Sequence, residues 1–487
     1  MTAHAEQLRM RRAPVLARAA DLIADNSLLV VLVAVLGAVL LGVAQQLTVA
    51  DSWMTLVAGR EIAHHGLPSH EVLTAIPYGR TWTDQQWFAQ IVFYASTVVG
   101  GLRLAIVLNV AAITVTLALV VAAARRRGAS ARSTLLVASV SLFVAPWSWQ
   151  LRAQALALPL FVLVLQLASS DVRKPRARTF LALPLLVLWA NIHGSVLLGA
   201  GLVSLAGLFG LLRRPLRSAA LVLLPWACVL ISPYGFHLVG YYRLLLFTSP
   251  VSKVIVEWQA PKPHGYDLIF FAVAAITVIL SIWQRRRLAY YDIAVLAVTL
   301  AGSLRSGRGI VWFTLAMAVI LPSVLDGVFR GGEAAIRRRL GLASGVAAIA
   351  VLLVMLVAIG SKPDSWFERE WPVAAARAVA TAAATAPGRQ AVFPSDTTAD
   401  WLLWKEPSLR GRVAYDVRFE ILTAAQLGSL VRFKSTAPDW MTPAAAYPVL
   451  VLDPSEGKRR VVALSAVPGT RVLFRSKAIV VLARPVG

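Results

Sequence analysis

Long apolar segments separated by short charged ones recur along the first 360 residues of this 487-residue chain. Eleven of them approach the length of a helix that crosses a bilayer. They cover residues 26–44, 102–124, 134–146, 154–169, 180–190, 196–212, 219–231, 267–283, 292–304, 310–325 and 340–360. Several are short, and Pro159, Pro184 and Pro225 interrupt three of them, which predicts tilted or broken helices. The pattern predicts a polytopic α-helical membrane protein.

The turns between these segments alternate in composition, and this alternation predicts the topology. Every second turn carries an arginine cluster, as at Arg125–Arg127 and Arg285–Arg287. Basic turns stay in the cytoplasm, so the N-terminus, which is also basic, is expected there as well. The first apolar run lacks a small-residue cleavage signal and is interpreted as a retained span. We expect a multi-pass protein of the plasma (inner) membrane.

Composition supports this class and excludes others. The chain is 58% hydrophobic and 15% charged, unlike a soluble domain. Its net charge of +24 lies in the short basic turns, which argues against nucleic-acid binding. The single cysteine, Cys228, excludes an internal disulfide and argues against a thiolate metal site.

The opposite set of turns carries polar residues of other kinds, and the longest of them follows the first span. This predicted outer loop covers residues 46–101 and contains the polar stretch Asp51–Trp87. We expect Trp87–Val99 to form a helix on the outer surface that ends at Gly100-Gly101. Asp51 then lies at the outer membrane edge, where a carboxylate is a candidate for catalysis. Its alternative role is to cap a helix that begins near Ser52.

From residue 361 the composition changes, which predicts two domains, 1–360 in the membrane and 361–487 outside it. Alternating apolar runs predict strands at residues 390–393, 413–415, 449–452, 472–474 and 479–483. An alanine-rich stretch at 371–385 predicts a helix. We therefore expect a C-terminal extracytoplasmic domain of small α/β type.

Several motifs resemble one superfamily over nearly the whole chain. They are D-S-W at 51–53, G-R at 59–60, H-G-L-P at 65–68, W-T-D-Q-Q-W at 82–87, L-W-A-N-I-H-G at 188–194, S-P-Y-G at 232–235 and E-W at 257–258. These motifs resemble the bacterial members of the GT-C superfamily of membrane glycosyltransferases. The resemblance implies a donor sugar carried on a polyprenyl phosphate or diphosphate, with a carboxylate of the first outer loop as base or orienting group. That role falls on Asp51.

One position departs from the superfamily pattern. Many members have two adjacent acids in the first outer loop, whereas Asp51 is followed by Ser52. A second catalytic acid would have to be Asp84 or Glu71. The signature W-W-D-Y-G is absent from the sequence, which argues against the oligosaccharyltransferase branch.

Transfer outside the plasma membrane needs a base near the acceptor hydroxyl and cations for the departing phosphate. Arg152, Arg305 and Arg308 lie at outer ends of predicted spans and are candidates for the phosphate, although interfacial arginines also snorkel to lipid headgroups. His193 is a further phosphate candidate. With Asn191 it interrupts an apolar segment, so the pair should face a cavity or join helices.

The remaining candidates are for substrate contacts. In the membrane module they are Trp82, Gln154, Asn191, Tyr234, Glu257 and Trp258, with aromatic-belt anchoring as the alternative for the tryptophans. In the C-terminal domain they are Asp396, Asp400, Asp416, Arg418 and Glu420, which a solvated surface explains equally well.

No metal ligands are assigned. His64, His65 and His70 match no zinc spacing, while the resemblance leaves a divalent cation such as Mg or Mn open.

The sequence predicts an inverting transferase acting on a glycan, lipid or protein acceptor. Its rivals are a lipid-linked glycan transporter, a non-catalytic envelope-assembly protein, and an envelope polysaccharide polymerase or ligase.

Overall fold

The structure, a computed structural model, describes residues 17–248, 255–329 and 338–485. Its α-helices are α1 (Ala17–Asp25), α2 (Ser27–Gly42), α3 (Ala50–His65), α4 (Trp87–Arg126), α5 (Ala131–Val144), α6 (Ala153–Arg173), α7 (Ala182–Ala190), α8 (Val196–Gly210), α9 (Pro215–Val229), α10 (His237–Arg243), α11 (Asp267–Trp283), α12 (Tyr290–Arg305), α13 (Ile310–Leu325), α14 (Arg338–Gly360), α15 (Asp364–Phe367), α16 (Val373–Ala384), α17 (Ala399–Lys405), α18 (Ala424–Ser435) and α19 (Lys458–Ser465).

Each of the eleven predicted spans falls on one of these helices. Within the described ranges, four helical segments are long and apolar enough to cross a membrane, namely Trp87–Arg126, Ala153–Arg173, Gly307–Leu325 and Arg338–Gly360. A fifth is obtained if α1 and α2, which are bent by 91°, count as one span. The chain is therefore a helical membrane protein, and the total of eleven spans stays a prediction.

Helix α4 is broken at the predicted glycine pair. Gly101 has a φ of +70°, in the left-handed region that favours glycine. A Cβ atom at this position would lie 2.5 Å from the Asp364 Oδ1 atom. The close packing against Asp364 therefore also requires a residue without a side chain. The same carboxylate accepts a hydrogen bond from the Leu102 backbone N–H at 2.9 Å. Asp364 thus caps the second half of α4, and the predicted division at this pair is confirmed.

The polar stretch after the first span is not a loop throughout, which corrects the sequence interpretation. Its first part forms α3, because Trp53, Leu56 and Val57 give it a buried apolar face. The N-cap position is Val49, whose N–H donates to the Ser52 hydroxyl at 3.0 Å. Asp51 therefore does not cap the helix. It lies in the first turn, where the positive end of the helix dipole favours a carboxylate.

The C-terminal part contains a four-stranded sheet made of β1 (Val392–Phe393), β2 (Val449–Leu452), β3 (Arg471–Arg475) and β4 (Val480–Ala483). The spatial order is β1-β2-β4-β3, with β1 and β2 parallel and the other pairs antiparallel. The strand predicted at 413–415 is wrong. Val413 makes isolated one-residue bridges to Val392 and Thr74, and this pairing does not extend into a ladder. The predicted helix at 371–385 corresponds to α16.

The two faces of this sheet pack against different cores. Val449 and Val451 belong to the same buried cluster as the membrane helices, whereas Leu450 and Leu452 face a second cluster of the C-terminal part. This alternation is the two-residue period of a strand that is buried on both faces. The membrane helices and the sheet therefore share one continuous core.

Helix α3 lies at the centre of that shared core. The Trp53 ring is fully buried and meets the Trp371 ring edge-on at 5.6 Å between centroids. On the exposed flank, the Arg410 Nε atom donates to the Glu61 carboxylate at 3.0 Å, and Arg60 donates to the backbone carbonyl of Trp404 at 2.8 Å. These contacts fix the C-terminal part against the helix that carries Asp51.

Candidate functional site

Four charged side chains from distant parts of the chain meet at one place. Arg152, which precedes α6, approaches the Asp51 carboxylate with its Nε atom at 3.2 Å. The two NH groups of the same guanidinium donate to both oxygens of Glu257, at 2.8 and 2.9 Å. This forked geometry fixes the orientation of the arginine. The sequence prediction of Arg152, Asp51 and Glu257 as site residues thus coincides with one cluster.

Arg308 is the fourth member of this cluster, and it comes from the short turn between α12 and α13. Its Nε atom donates to Glu257 at 3.3 Å, and one terminal nitrogen lies 3.8 Å from the Asp51 carboxylate. Its guanidinium lies 4.9 Å from the centre of the Trp258 ring. Burial alone would raise the pKa of Glu257. Arg152 and Arg308 donate hydrogen bonds to it and carry positive charges, and together these effects lower the pKa below its ordinary value. Glu257 is therefore a carboxylate at neutral pH.

Ser52 explains how Asp51 comes to lie beside Arg152. Its hydroxyl is buried and donates to the Leu151 backbone carbonyl at 2.6 Å. The N–H of Leu151 in turn donates to the Leu47 carbonyl at 2.8 Å. The start of α3 is thereby tied to the residue next to Arg152. A second acid at position 52 would place a carboxylate against this carbonyl, so the serine suits a structural role here.

The charged cluster forms one end of a cavity whose other end is built from the polar loop and the C-terminal part. That second end is lined by Trp82, Asp84, Gln85, Gln90, His193, Tyr241, Arg418 and Glu420. Gln154 also contributes to the wall. The structure therefore brings Asp84 into the same cavity as Asp51, and it adds Val417, Arg418 and Glu420 from the C-terminal part.

Asp84 is 4% exposed, and its environment favours the protonated form. Burial raises its pKa to about 7, against the lowering effect of hydrogen bonds from the Gln86 N–H and the Gln90 side chain. Glu420 is half-buried and faces the same cavity, and burial raises its pKa to about 7 although Arg418 opposes the shift. Both carboxyl groups can therefore gain or lose a proton near neutral pH.

His193 contributes a neutral ring. Burial, together with the positive charges of Arg308 and Arg152, lowers its pKa to about 3. Its Nδ1 atom lies 2.8 Å from the Ser195 hydroxyl. At physiological pH the ring can donate or accept a hydrogen bond, but it adds no positive charge for a phosphate.

Glu71 is not brought to the cavity. It is fully buried, and one of its oxygens accepts hydrogen bonds from the backbone N–H groups of Leu73 and Thr74 and from the Thr74 hydroxyl. Its other oxygen pairs with Arg418. These contacts hold the loop after α3 against the C-terminal part, so its observed role is structural.

Three further candidates also lie outside the cavity lining. Arg305 donates to the backbone carbonyl of Leu246 at 3.1 Å and is exposed. Asn191 accepts from the Trp87 ring N–H at 2.8 Å, which joins two helices. The Tyr234 hydroxyl donates to the Pro68 carbonyl at 2.8 Å. Each of these side chains makes an identifiable structural contact.

The acids and the arginine proposed for the C-terminal surface are mostly internal. Asp400, Asp416 and Arg418 are at most 6% exposed, so the solvated-surface interpretation is wrong for them. Arg418 pairs with Asp416 and lies 4.2 Å from the centre of the Trp82 ring. Arg418 therefore forms part of the cavity wall through its contact with the polar loop.

A wider cleft leads outward from the charged cluster, with a volume of about 450 Å³. Its near wall is formed by Asp51, Arg152, Glu257 and Arg308. Its far wall is formed by Asp396, Lys434, Glu456 and Arg460. Asp396 follows β1 and Glu456 follows β2, whereas Lys434 lies on α18 and Arg460 lies on α19. The crevice beyond the carboxyl ends of parallel strands is a common ligand position in α/β sheets.

The three loop histidines have local partners: His64 contacts the Tyr94 hydroxyl at 3.0 Å, His65 the Glu61 carboxylate at 3.3 Å, and His70 the Ser69 hydroxyl at 2.9 Å. Among the described residues, no group of three or more histidine, cysteine or acidic side chains could hold a metal ion. Asp51, the most exposed carboxylate of the cluster, is already paired with two guanidinium groups.

Comparisons with known proteins give different results for the sequence and for the fold. No protein-family model matches the sequence, and no curated protein matches it. Among solved structures, ArnT from Cupriavidus metallidurans in the apo state aligns with a TM-score of 0.50 at 15% identity, covering 93% of this chain and 97% of ArnT. ArnT belongs to the GT-C superfamily. The chain has the GT-C fold.

Two other structures align at similar levels. ArnT from the same organism bound to undecaprenyl phosphate has a TM-score of 0.48 and 16% identity, covering 93% of this chain and 97% of that one. The oligosaccharyltransferase AglB from Archaeoglobus fulgidus, in complex with an inhibitory peptide and a dolichol-phosphate, has a TM-score of 0.49 and 12% identity, covering 87% and 69%. The alignment with ArnT in the apo state, at a TM-score of 0.50, confirms at the level of the fold the resemblance noted in the sequence motifs.

Gln85, Gln90 and Tyr241 line the cavity but are not among the sequence predictions. The two glutamines lie in or just after the motif W-T-D-Q-Q-W, which was used only to recognise the superfamily. The available signal was their closeness to Asp84, which Gln85 follows directly and Gln90 follows after six positions. Tyr241 gave none, because it lies in a segment with two adjacent tyrosines and no distinguishing pattern.

Proposed function

We propose that this protein is a membrane glycosyltransferase that moves a sugar from a polyprenyl-phosphate-linked donor to a hydroxyl group of an extracytoplasmic acceptor. The observation that carries the proposal is the contact of Asp51 with Arg152 and Arg308 at the mouth of a cavity. A base and two cations side by side are what this transfer requires. The GT-C fold makes the same class of reaction the first to test.

In the proposed step, the acceptor oxygen attacks the anomeric carbon from the side opposite the phosphate. The new bond from oxygen to carbon forms while the bond from carbon to the phosphate oxygen breaks. Asp51 takes the proton of the acceptor hydroxyl, and the polyprenyl phosphate leaves with the bonding electron pair. The displacement inverts the configuration at the anomeric carbon.

Arg152 and Arg308 stabilise the negative charge that develops on the leaving phosphate. Without a donor, their guanidinium groups bind the Glu257 carboxylate, an anion of similar geometry. The donor phosphate therefore competes with Glu257 for the same nitrogen atoms. Arg305 does not take part in this proposal, because its guanidinium lies elsewhere.

The acceptor approaches through the wider cleft, whose two walls place it between Asp51 and the C-terminal part. A glycan, a lipid or a protein can present the required hydroxyl. Cavity and cleft lie on the outer face of the plasma membrane in this proposal, because the arginine-rich turns at the other ends of the helices belong in the cytoplasm. The N-terminus is then cytoplasmic, and residues 361–487 form the extracytoplasmic domain.

No step of the proposed reaction goes through a metal ion. The carboxylates that a divalent cation would need are paired with guanidinium groups, which supply the positive charge at the phosphate. The proposed step therefore uses the two guanidinium groups in place of a cation at Asp51.

The decisive experiment measures transfer of labelled sugar from polyprenyl-phosphate donors by the purified protein in nanodiscs. Asp51→Asn should lower kcat by roughly 100- to 10,000-fold, the usual effect of losing a general base. Glu370→Gln, at an exposed acid remote from the cavity, is the matched control and should transfer normally.

The same assay separates the rival functions. Equal transfer by the wild type and Asp51→Asn removes Asp51 as the base. Movement of the donor across the bilayer without any transfer, unaffected by Asp51→Asn, would instead show a transporter. Transfer from diphosphate-linked oligosaccharides but not from monosaccharide donors would show a polymerase or ligase.

A further inference from the structure

Three buried side-chain oxygen atoms at the inner end of the cavity lack a hydrogen-bond donor among the described residues. They are Asp84 Oδ2, Gln85 Oε1 and Gln90 Oε1. The three residues are 4%, 4% and 5% exposed, and all of them line the cavity that begins at Asp51. A buried acceptor without a donor costs on the order of 1–3 kcal/mol, so three in one wall are costly unless a ligand satisfies them.

The neighbouring contacts fix which atoms face the cavity. The Gln90 Nε2 atom donates to Asp84 Oδ1 at 3.0 Å, which leaves the Gln90 oxygen unpaired. The Gln86 N–H donates to the same Asp84 oxygen at 3.3 Å. The Gln85 side chain contacts the Tyr241 hydroxyl. The unpaired atoms of Gln85 and Gln90 are therefore acceptors, and the unpaired Asp84 oxygen accepts when the carboxyl group is ionised and donates when it is protonated.

From this arrangement we infer that Asp84, Gln85 and Gln90 form the subsite for the donor's sugar ring, and that this sugar is neutral and carries free hydroxyl groups. The inference rests on the proposed function, because it places the donor phosphate on Arg152 and Arg308 at the other end of the same cavity. A sugar joined to that phosphate extends toward the three oxygens, and its hydroxyls supply the missing donors.

The chemistry of the wall favours hydroxyl groups over other substituents. A hydroxyl group both donates and accepts, so it can pair with the Asp84 carboxyl in either protonation state. An ammonium group would bring a further positive charge into a cavity already lined by Arg152, Arg308 and Arg418. A sugar carboxylate would meet Asp84 and Glu420, two acids in the same cavity. An N-acetyl group replaces one hydroxyl with an amide, whose N–H can donate but whose carbonyl and methyl groups would also meet the unpaired oxygens.

The test measures binding and does not depend on transfer. Full-length protein in nanodiscs is titrated with polyprenyl phosphate alone and with polyprenyl phosphate bearing glucose, arabinose, glucosamine, N-acetylglucosamine or glucuronic acid. We expect glucose or arabinose to tighten binding at least tenfold over the bare lipid phosphate, the effect of about 1.4 kcal/mol. The charged and acetylated sugars should give no such gain.

The key variant is Gln85→Met, which replaces an unpaired oxygen with an apolar side chain of similar length. It should abolish the tenfold gain from the sugar while leaving the affinity for bare polyprenyl phosphate unchanged. Its thermal unfolding midpoint should stay equal or rise, because the variant removes an unsatisfied buried acceptor. A residue with a purely structural role would lower the midpoint instead.

Gln150→Met is the matched control. Gln150 also has an unpaired buried oxygen, but it does not line this cavity. Its substitution should leave sugar binding unchanged. The inference is overturned if Gln85→Met keeps the full gain, or if glucosamine, N-acetylglucosamine or glucuronic acid binds better than the neutral sugars. Sugar-dependent binding without any transfer would refute the proposed function and leave this subsite standing.

Discussion

Arg152 binds both carboxylate oxygens of Glu257 through its two terminal nitrogens, at 2.8 and 2.9 Å. The guanidinium groups proposed for the phosphate are therefore occupied by a protein carboxylate when no donor is bound. If the donor phosphate displaces Glu257, the charge of the cluster stays balanced. This exchange makes the role of each member separable by mutation.

Arg152→Lys should lower transfer by 100-fold or more, because a lysine cannot reproduce the forked contact with two oxygen atoms. The measurement is kcat/KM with respect to the polyprenyl-phosphate donor. Arg305→Lys is the control, since Arg305 lies at the end of α12 but bonds only a backbone carbonyl in the described contacts. If both variants lose activity equally, Arg152 has no special relation to the phosphate.

Glu257→Gln should lower the donor KM by threefold to tenfold. The glutamine keeps the size of the side chain but removes the negative charge that competes with the phosphate for Arg152 and Arg308. Donor titrations at several salt concentrations check this, because the difference between variant and wild type should shrink as salt screens the charges. A higher donor KM for the variant would contradict the competition.

Ser52→Ala should lower kcat by about tenfold and reduce stability by about 1–3 kcal/mol, since the buried hydroxyl bond to the Leu151 carbonyl is lost. The donor KM should stay unchanged, because Ser52 acts on the position of Asp51 and does not contact the phosphate. Ser96→Ala, which removes a hydroxyl bonded within its own helix, serves as the control. Recovery of kcat in Ser52→Thr would support the positioning role.

Asp84→Asn should change the pH dependence of stability. The folded-state pKa of about 7 lies above the ordinary aspartate value of 3.8, so the folded protein binds the proton more tightly than the unfolded chain. This stabilising contribution is fully present below about pH 4 and is lost as the pH rises through 7. The difference corresponds to on the order of 4 kcal/mol.

The thermal unfolding midpoint of Asp84→Asn, relative to the wild type, should therefore rise between pH 4 and pH 8. Glu406→Gln, at an acid outside the cavity lining, should show a constant difference over this range. A constant difference for Asp84→Asn would mean that the carboxyl titrates as it does in the unfolded chain.

Gly101→Ala should destabilise the protein by about 1–3 kcal/mol, because the residue has a positive φ and its new Cβ atom would clash with Asp364. Gly66→Ala separates the two effects. Gly66 also has a positive φ, of +82°, but a Cβ atom there meets no atom within 4 Å. The control should therefore lose less stability in thermal unfolding, and equal losses would exclude the clash.

Many of the helices and part of the site could be predicted from the sequence, each for a physical reason. Apolar run length predicted the helices that match the eleven apolar segments, and the alternating arginine turns led us to expect Asp51, Arg152 and Arg308 on one face, where the structure brings them together. The glycine pair predicted the break in α4 because only a left-handed residue fits there. The strand at 413–415 failed, since an apolar run does not show whether its neighbours continue in register.

The rest of the site depended on contacts between distant parts of the chain. Arg305 and Arg308 are three residues apart, and only the turn between their helices determines which one reaches the cavity. Glu71 could not be told from a catalytic acid, because its partner Arg418 is far along the chain. Gln85 looks like an ordinary loop amide and Gln90 like an ordinary polar residue of a helix, and only the burial of their unpaired oxygens distinguishes them.

Helix α3 carries Asp51 at its first turn and shares its buried tryptophan with the C-terminal part. The far wall of the cleft is therefore held at a set distance from the proposed base, without an intervening linker. Such a molecule would select its acceptor by length. An acceptor would react when the spacing between its recognised portion and its free hydroxyl matches the span from Lys434 and Glu456 to Asp51.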